Sequence, residues 1–131
     1  MSLPELKHIL LVEDDPDIQM VATLALETIG SFKVDVCSSG IEALETTQDI
    51  TPDLILLDVM MPNMDGPQTL EALQARPETA QIPVIFMTAK VQTHEVKSYQ
   101  ALGAIEVIAK PFDPMTLADS IREIWKQHHT T

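Results

Sequence analysis

The chain has 131 residues, 45% hydrophobic and 21% charged, a length and balance that suit one folded domain with a real core. A net charge of -12 argues against nonspecific binding to nucleic acid or an anionic membrane, since both need a positive field. The single cysteine, Cys37, rules out an internal disulfide, and no apolar run approaches membrane-spanning length, so the expectation is a cytoplasmic protein without direct nucleic-acid or membrane contact.

Ile9-Leu10-Leu11-Val12 is the first apolar run, and it ends in three acids, Glu13-Asp14-Asp15. Asp15 as N-cap with Pro16 at the first helical position predicts a helix start. Ile18, Val21, Ala22, Ala25 and Ile29 form its apolar stripe, and Gly30 stops it. Val34-Asp35-Val36-Cys37 alternates between polar flanks, which predicts a shorter strand near an edge with Cys37 as a packing residue. Ser39-Gly40-Ile41-Glu42 has capping-box spacing and opens a helix to about Asp49, which Thr51-Pro52 breaks.

Leu54-Ile55-Leu56-Leu57 then stops abruptly at Asp58, and a loop bearing Pro62 and Gly66 comes next. A short apolar run bounded by turn signals reads as a strand buried on both faces, the kind found in parallel sheets. A helix carrying Leu70 and Leu73 runs to about Arg76, ahead of Pro77. Pro83-Val84-Ile85-Phe86-Met87 is another buried run, ending in Thr88-Ala89-Lys90. A helix with Val96, Tyr99 and Leu102 stops at Gly103. Ile105 to Ala109 is the fifth strand and ends in Lys110-Pro111. Asp113-Pro114 repeats the cap-then-proline start, and the last helix shows Leu117, Ile121, Ile124 and Trp125 on one face.

Five strands alternating with five helices predict an α/β fold of parallel strands joined by right-handed crossovers, with helices on both faces. The runs at 9–12, 54–57 and 84–87 are the most apolar and are expected at the centre. That gives a flavodoxin-like (βα)5 three-layer sandwich with strand order 2-1-3-4-5. The expectation is one domain over 1–131, with a core from about 7 to 127 and no linker, repeat or output domain.

All carboxyl ends of a parallel sheet lie on one rim. The predicted rim therefore collects Glu13, Asp14 and Asp15 from strand one, Asp58 from strand three, Thr88 from strand four and Lys110 from strand five. Crowded carboxylates repel one another, and a hard divalent cation such as Mg2+ compensates with oxygen ligands. Asp14 and Asp58 are candidate direct ligands, with the Met60 carbonyl as a third and Glu13 acting directly or through water. No His or Cys is among these residues, which disfavours a transition-metal site. Lys110 either forms a simple salt bridge to Asp58 or neutralises a phosphoryl oxygen. Thr88 either caps its strand or donates its hydroxyl to the same group. Their convergence favours phosphoryl transfer onto the Asp58 carboxylate, chemistry that needs positioning and charge neutralisation. With only four glycines and no glycine-rich phosphate loop, a nucleotide is not expected as direct donor, so the phosphoryl group arrives on a partner protein.

Asp58-Val59-Met60-Met61-Pro62-Asn63-Met64-Asp65-Gly66 resembles the D-x-x-M-P-x-M-D-G signature of two-component response-regulator receiver domains, the CheY-like family. Val12-Glu13-Asp14-Asp15, Met87-Thr88-Ala89 and Ala109-Lys110-Pro111-Phe112 match the family's other motifs in order. The resemblance runs from about Lys7 to about Gln127. It implies that Asp58 accepts phosphate from a phosphohistidine on a sensor histidine kinase or histidine phosphotransfer protein. It implies Mg2+ held by Glu13, Asp14, Asp58 and the Met60 carbonyl, with Thr88 and Lys110 contacting the phosphoryl group. It also implies a cis Lys110–Pro111 bond, and output through the face of helix four, strand five and helix five to an unknown downstream protein, as a monomer or a phosphorylation-dependent dimer.

The chain departs from the family at the aromatic switch position, three residues before the lysine, which is Val107. A valine fills an inward pocket but has no ring to swing, so only the Thr88 half of the usual switch carries over. Met60 and Lys90 occupy the positions that tune acyl-phosphate lifetime, and their bulk predicts slow autodephosphorylation. The alternative is an atypical receiver that binds proteins independently of phosphorylation; the complete acidic cluster, Asp58, Thr88 and Lys110 weigh against it. An aspartyl-phosphate phosphatase is disfavoured by Glu-Asp-Asp in place of a D-x-D pair and by the lack of a cap-sized insertion. A flavodoxin is disfavoured by the acidic triplet, which repels a cofactor phosphate.

Overall fold

The structure is a computed structural model that describes residues 3–130. Met1, Ser2 and Thr131, at the ends of the expected 1–131 domain, lie outside the described residues. The strands are β1 (His8–Val12), β2 (Lys33–Cys37), β3 (Leu54–Asp58), β4 (Val84–Thr88) and β5 (Glu106–Ala109). They alternate with helices α1 (Pro16–Leu24), α2 (Gly40–Thr46), α3 (Gly66–Gln74), α4 (Thr93–Leu102) and α5 (Leu117–Thr130). Every neighbouring pair is parallel, in the order β2-β1-β3-β4-β5 that the alternation of runs and stripes predicts.

The apolar content of each run decides its place. Every residue of β3 and β4 is buried, whereas β2, at an edge, buries only Cys37. Successive side chains point to opposite faces. Ile9, Leu11, Leu54, Leu56, Ile85 and Met87 pack with Ala22 of α1 and with Leu117, Ile121 and Trp125 of α5. Leu10, Val12, Ile55, Leu57, Val84 and Phe86 pack with Ala43 of α2, Leu70 and Leu73 of α3, and Tyr99 of α4. Fully burying one such leucine stabilises the fold by about 1.5–3 kcal/mol. This burial offsets the crowding of like charges at the strand ends.

The helices differ from expectation in detail. The Asp15 carboxylate accepts from the Asp17 and Ile18 N–H groups, and Pro16 opens α1, as expected. The helix then continues as a π-helical turn over Ala25–Ile29, where the Gly30 N–H reaches back to the Ala25 carbonyl at 3.1 Å. A π turn holds more than the 3.6 residues of an α turn, so it rotates the later positions off the regular stripe. Leu26 within this turn is buried in the core, while Ile29 of the predicted stripe is 44% exposed; Val21 of the stripe, ahead of the turn, is 40% exposed. In α2, Ser39 accepts from the Glu42 N–H, but the Glu42 carboxylate accepts from Ser38 and not from Ser39. Pro114 opens a preceding turn, and the regular part of α5 starts only at Leu117, whose N–H donates to the Asp113 carbonyl. Helix α4 ends at Gly103 with φ of 121° and buries none of its residues fully.

Candidate functional site

The carboxyl rim of the sheet is built where apolar strands run out. Asp58 is the last residue of β3 and is 3% exposed, an unusual place for a carboxylate unless it is paired. Glu13 comes directly after β1 and is 1% exposed. Lys110 comes directly after β5, and its N–H donates to the Thr88 carbonyl at 2.9 Å, extending the β4–β5 ladder by one bond. Glu13, Asp58 and Lys110 continue the odd–even count of the residues that face α1 and α5.

These three side chains meet. Lys110 Nζ lies 2.9 Å from Asp58 Oδ1, and 3.1 and 2.9 Å from the two oxygens of Glu13. Burial pushes the Glu13 carboxyl up to about 7; the bond from Lys110 opposes this and the Asp58 charge adds to it. Burial works against the Lys110 charge too, but its bonds to Asp58 and Glu13 outweigh that and raise the ammonium pKa. One half-buried cation thus serves two buried carboxylates.

Asp14 is exposed and adds a third carboxylate. One oxygen from each of Glu13, Asp14 and Asp58 lies within 4.8 Å of the others. Three carboxylates against one ammonium leave a formal charge of -2 when all are ionised. An all-oxygen donor set with that deficit fits a hard divalent cation. Asp15, the third acid of the run, is used as the N-cap of α1.

The remaining residues expected here stand at or just beyond the strand ends, with one exception. Thr88 ends β4, is buried, and its Oγ1 accepts from the Lys90 N–H at 3.1 Å. Met60 stands two residues after Asp58 with its side chain 65% exposed, and Lys90 is exposed. The Lys110–Pro111 bond is cis. Val107 is not on the rim: it is half-buried and packs with Tyr99 against the core on the α2–α4 side.

Two contacts have no counterpart in the sequence motifs. The Glu13–Lys110 pair joins residues 97 apart, and neither motif by itself says which acid the lysine meets. Gln19 of α1 donates to the Glu13 carbonyl and to Ser38 Oγ. The only sequence signal for the latter is a polar residue one turn after the N-cap.

Residues 9–122 match the response regulator receiver domain family. The chain is 36% identical over 117 residues to the response regulator Rre1 of Synechocystis sp., a match covering 88% of this chain and 50% of that protein. The chain spans about half the length of the curated relatives it matches. Its fold aligns with the chemotaxis response regulator CheY4 of Vibrio cholerae at a TM-score of 0.84 and 27% identity, covering 92% of this chain and 99% of that one. It aligns with the receiver domain of the sensor histidine kinase PA1611 from Pseudomonas aeruginosa at a TM-score of 0.79 and 26% identity, covering 97% and 100%, and that structure holds a magnesium ion coordinated in its active-site cleft. With the predicted strand order, the buried acid–lysine rim and these likenesses together, the chain belongs to the response regulator receiver domain family, the phosphorylation-activated switches of two-component signalling.

Proposed function

We propose that Asp58 is the phosphoacceptor of this receiver and takes its phosphoryl group from a phosphohistidine on a sensor histidine kinase or histidine phosphotransfer protein. The observation that carries this reading is the buried Asp58 carboxylate at the end of β3, held 2.9 Å from Lys110 Nζ and beside Glu13 and Asp14. An Asp58 oxygen forms the new bond to phosphorus as the phosphorus–nitrogen bond breaks, and the imidazole of the donor keeps the electron pair. Lys110 already sits on Asp58 and tracks the charge onto a phosphoryl oxygen. Thr88 Oγ1 accepts from Lys90, which leaves its own proton to donate to a second phosphoryl oxygen.

Glu13, Asp14, Asp58 and the Met60 carbonyl would hold Mg2+. When bound, the ion supplies positive charge that offsets the phosphoryl oxygens as Asp58 attacks. The chain's own catalysis is limited to self-phosphorylation and a slow loss of the phosphoryl group. Signal leaves through altered protein contacts on the face of α4, β5 and α5. We assign the domain to the cytoplasm, as a monomer or phosphorylation-dependent dimer. No helix among the described residues is long and apolar enough to cross a membrane. The acidic charge favours protein partners over direct nucleic-acid contact by this span.

Incubation with acetyl phosphate and MgCl2, read by intact mass, tests the reading. Wild type should gain one phosphoryl group and Asp58→Asn none. An unlabelled wild type, under conditions that label another receiver, would sink it.

A further inference from the structure

We propose that Gln19 is a positioning residue for the acidic pair Glu13–Asp14, and that it sets how well the pair holds a divalent cation. This rests on the Mg2+ reading above and deepens it.

The two acids leave β1 through a short span pinned on both sides. Before them, the Glu13 N–H donates to the Cys37 carbonyl at 3.0 Å, an extra rung beyond the β1–β2 pairing. After them, Asp15 is committed to capping α1. The peptide plane between Glu13 and Asp14 lies between these two anchors. Its carbonyl, that of Glu13, accepts from Gln19 Nε2 at 2.5 Å. A carbonyl can only accept, so the amide orientation of Gln19 is dictated by its partner. The same nitrogen donates to Ser38 Oγ at 3.1 Å, and the Ser38 N–H donates to a Glu42 carboxylate oxygen at 3.1 Å.

Residue 19 is where such a group must stand. Helix side chains lean towards the N-terminus, so a long side chain one turn after the cap reaches back over the loop that feeds the helix. The Gln19 N–H closes that first turn onto the Asp15 carbonyl at 2.9 Å. A peptide group is planar, so holding the Glu13 carbonyl also fixes the Asp14 N–H and the place of the Asp14 Cα from which its side chain leaves. Glu13 has a second anchor, because its buried carboxylate is gripped by Lys110. Asp14 is exposed, and no hydrogen bond to its side chain steadies it among the described residues. Gln19 therefore acts mainly on Asp14, through the backbone.

Replacement by Gln19→Met keeps the length and removes both donors. A 1H–15N NMR titration of the full chain with MgCl2 should show Mg2+ binding weakened on the order of tenfold, the size typical of lost outer-sphere support. The rate of labelling by acetyl phosphate should recover towards wild type at saturating MgCl2. A folded Q19M that melts at lower temperature yet binds Mg2+ as wild type does would make Gln19 a packing residue only and overturn the proposal. Gln19→Asn keeps the amide but is one methylene short, and should weaken binding in the same direction if Q19M does not fold; wild-type affinity in Q19N overturns it equally. Wild type that binds no Mg2+ would instead remove the metal reading on which the proposal stands.

Discussion

At the scale of single residues, the site is a problem of unbalanced charge. Asp58 and Glu13 are buried together, and Lys110 is the ammonium that reaches both. Phosphorylating Asp58 adds negative charge at the point where Lys110 already stands, so the lysine keeps a partner throughout. Whether the product lasts depends on what shields it from water. Met60 and Lys90, two residues beyond Asp58 and Thr88, are exposed, a thioether and a long cation. The expected outcome is slow autodephosphorylation, with Met60→Ala and Lys90→Ala together shortening the phospho-form lifetime severalfold. Timed intact-mass spectra in MgCl2 check this, and a wild-type half-life of seconds would contradict it. The residue types of the site were legible in the sequence because each closes an apolar run. The grip of Lys110 on Glu13 was not, because two adjacent acids are equivalent until the strand's alternation turns one of them inward.

At the scale of elements, the loop after β3 is held against the strand it leaves. The Gly66 N–H donates to the Val59 carbonyl at 2.9 Å, and α3 starts there under a capping box formed by Asp65 and Gln68. A Cβ on Gly66 would lie 2.7 Å from the Asp58 carbonyl oxygen and 2.8 Å from the Val59 Cα. Both are backbone atoms, which cannot turn aside as a flexible side chain would. Gly66→Ala should therefore cost about 1–3 kcal/mol of stability by urea unfolding. It should also slow labelling by acetyl phosphate, because the displaced strand end is that of Asp58. Unchanged stability with an unchanged rate would show that the loop yields freely. The turn itself was legible from its proline and glycine, but the close approach was not, since it depends on how α3 folds back. Likewise the π turn after α1 escapes a reading that assumes a constant helical period. Ile29 then leaves the stripe, and Leu26 takes a core place that the period did not assign to it.

At the scale of the whole molecule, strand order was legible because burial is written into composition. Runs such as Leu54 to Leu57 have no polar face and must lie between two helical layers, whereas Val34 to Cys37 alternates and goes to an edge. The path by which a signal leaves the rim is less simply encoded. Val107, opposite Phe86 in the β4–β5 register, and Tyr99, whose ring meets that of Phe86 edge-on at 5.3 Å, both pack against the same core. On the face of α4, β5 and α5, helix α5 is anchored by Leu117, Ile121 and Trp125 whereas α4 has no fully buried residue, and residue 107 has no ring to move. All of this matters only if phosphate is accepted at Asp58. Borohydride reduction of the acetyl phosphate-labelled protein, with peptide mass mapping of the product, converts an aspartyl phosphate to homoserine and reports its position. Homoserine at position 58 is the expected result; label that resists reduction, or homoserine at any other aspartate, would contradict the assignment.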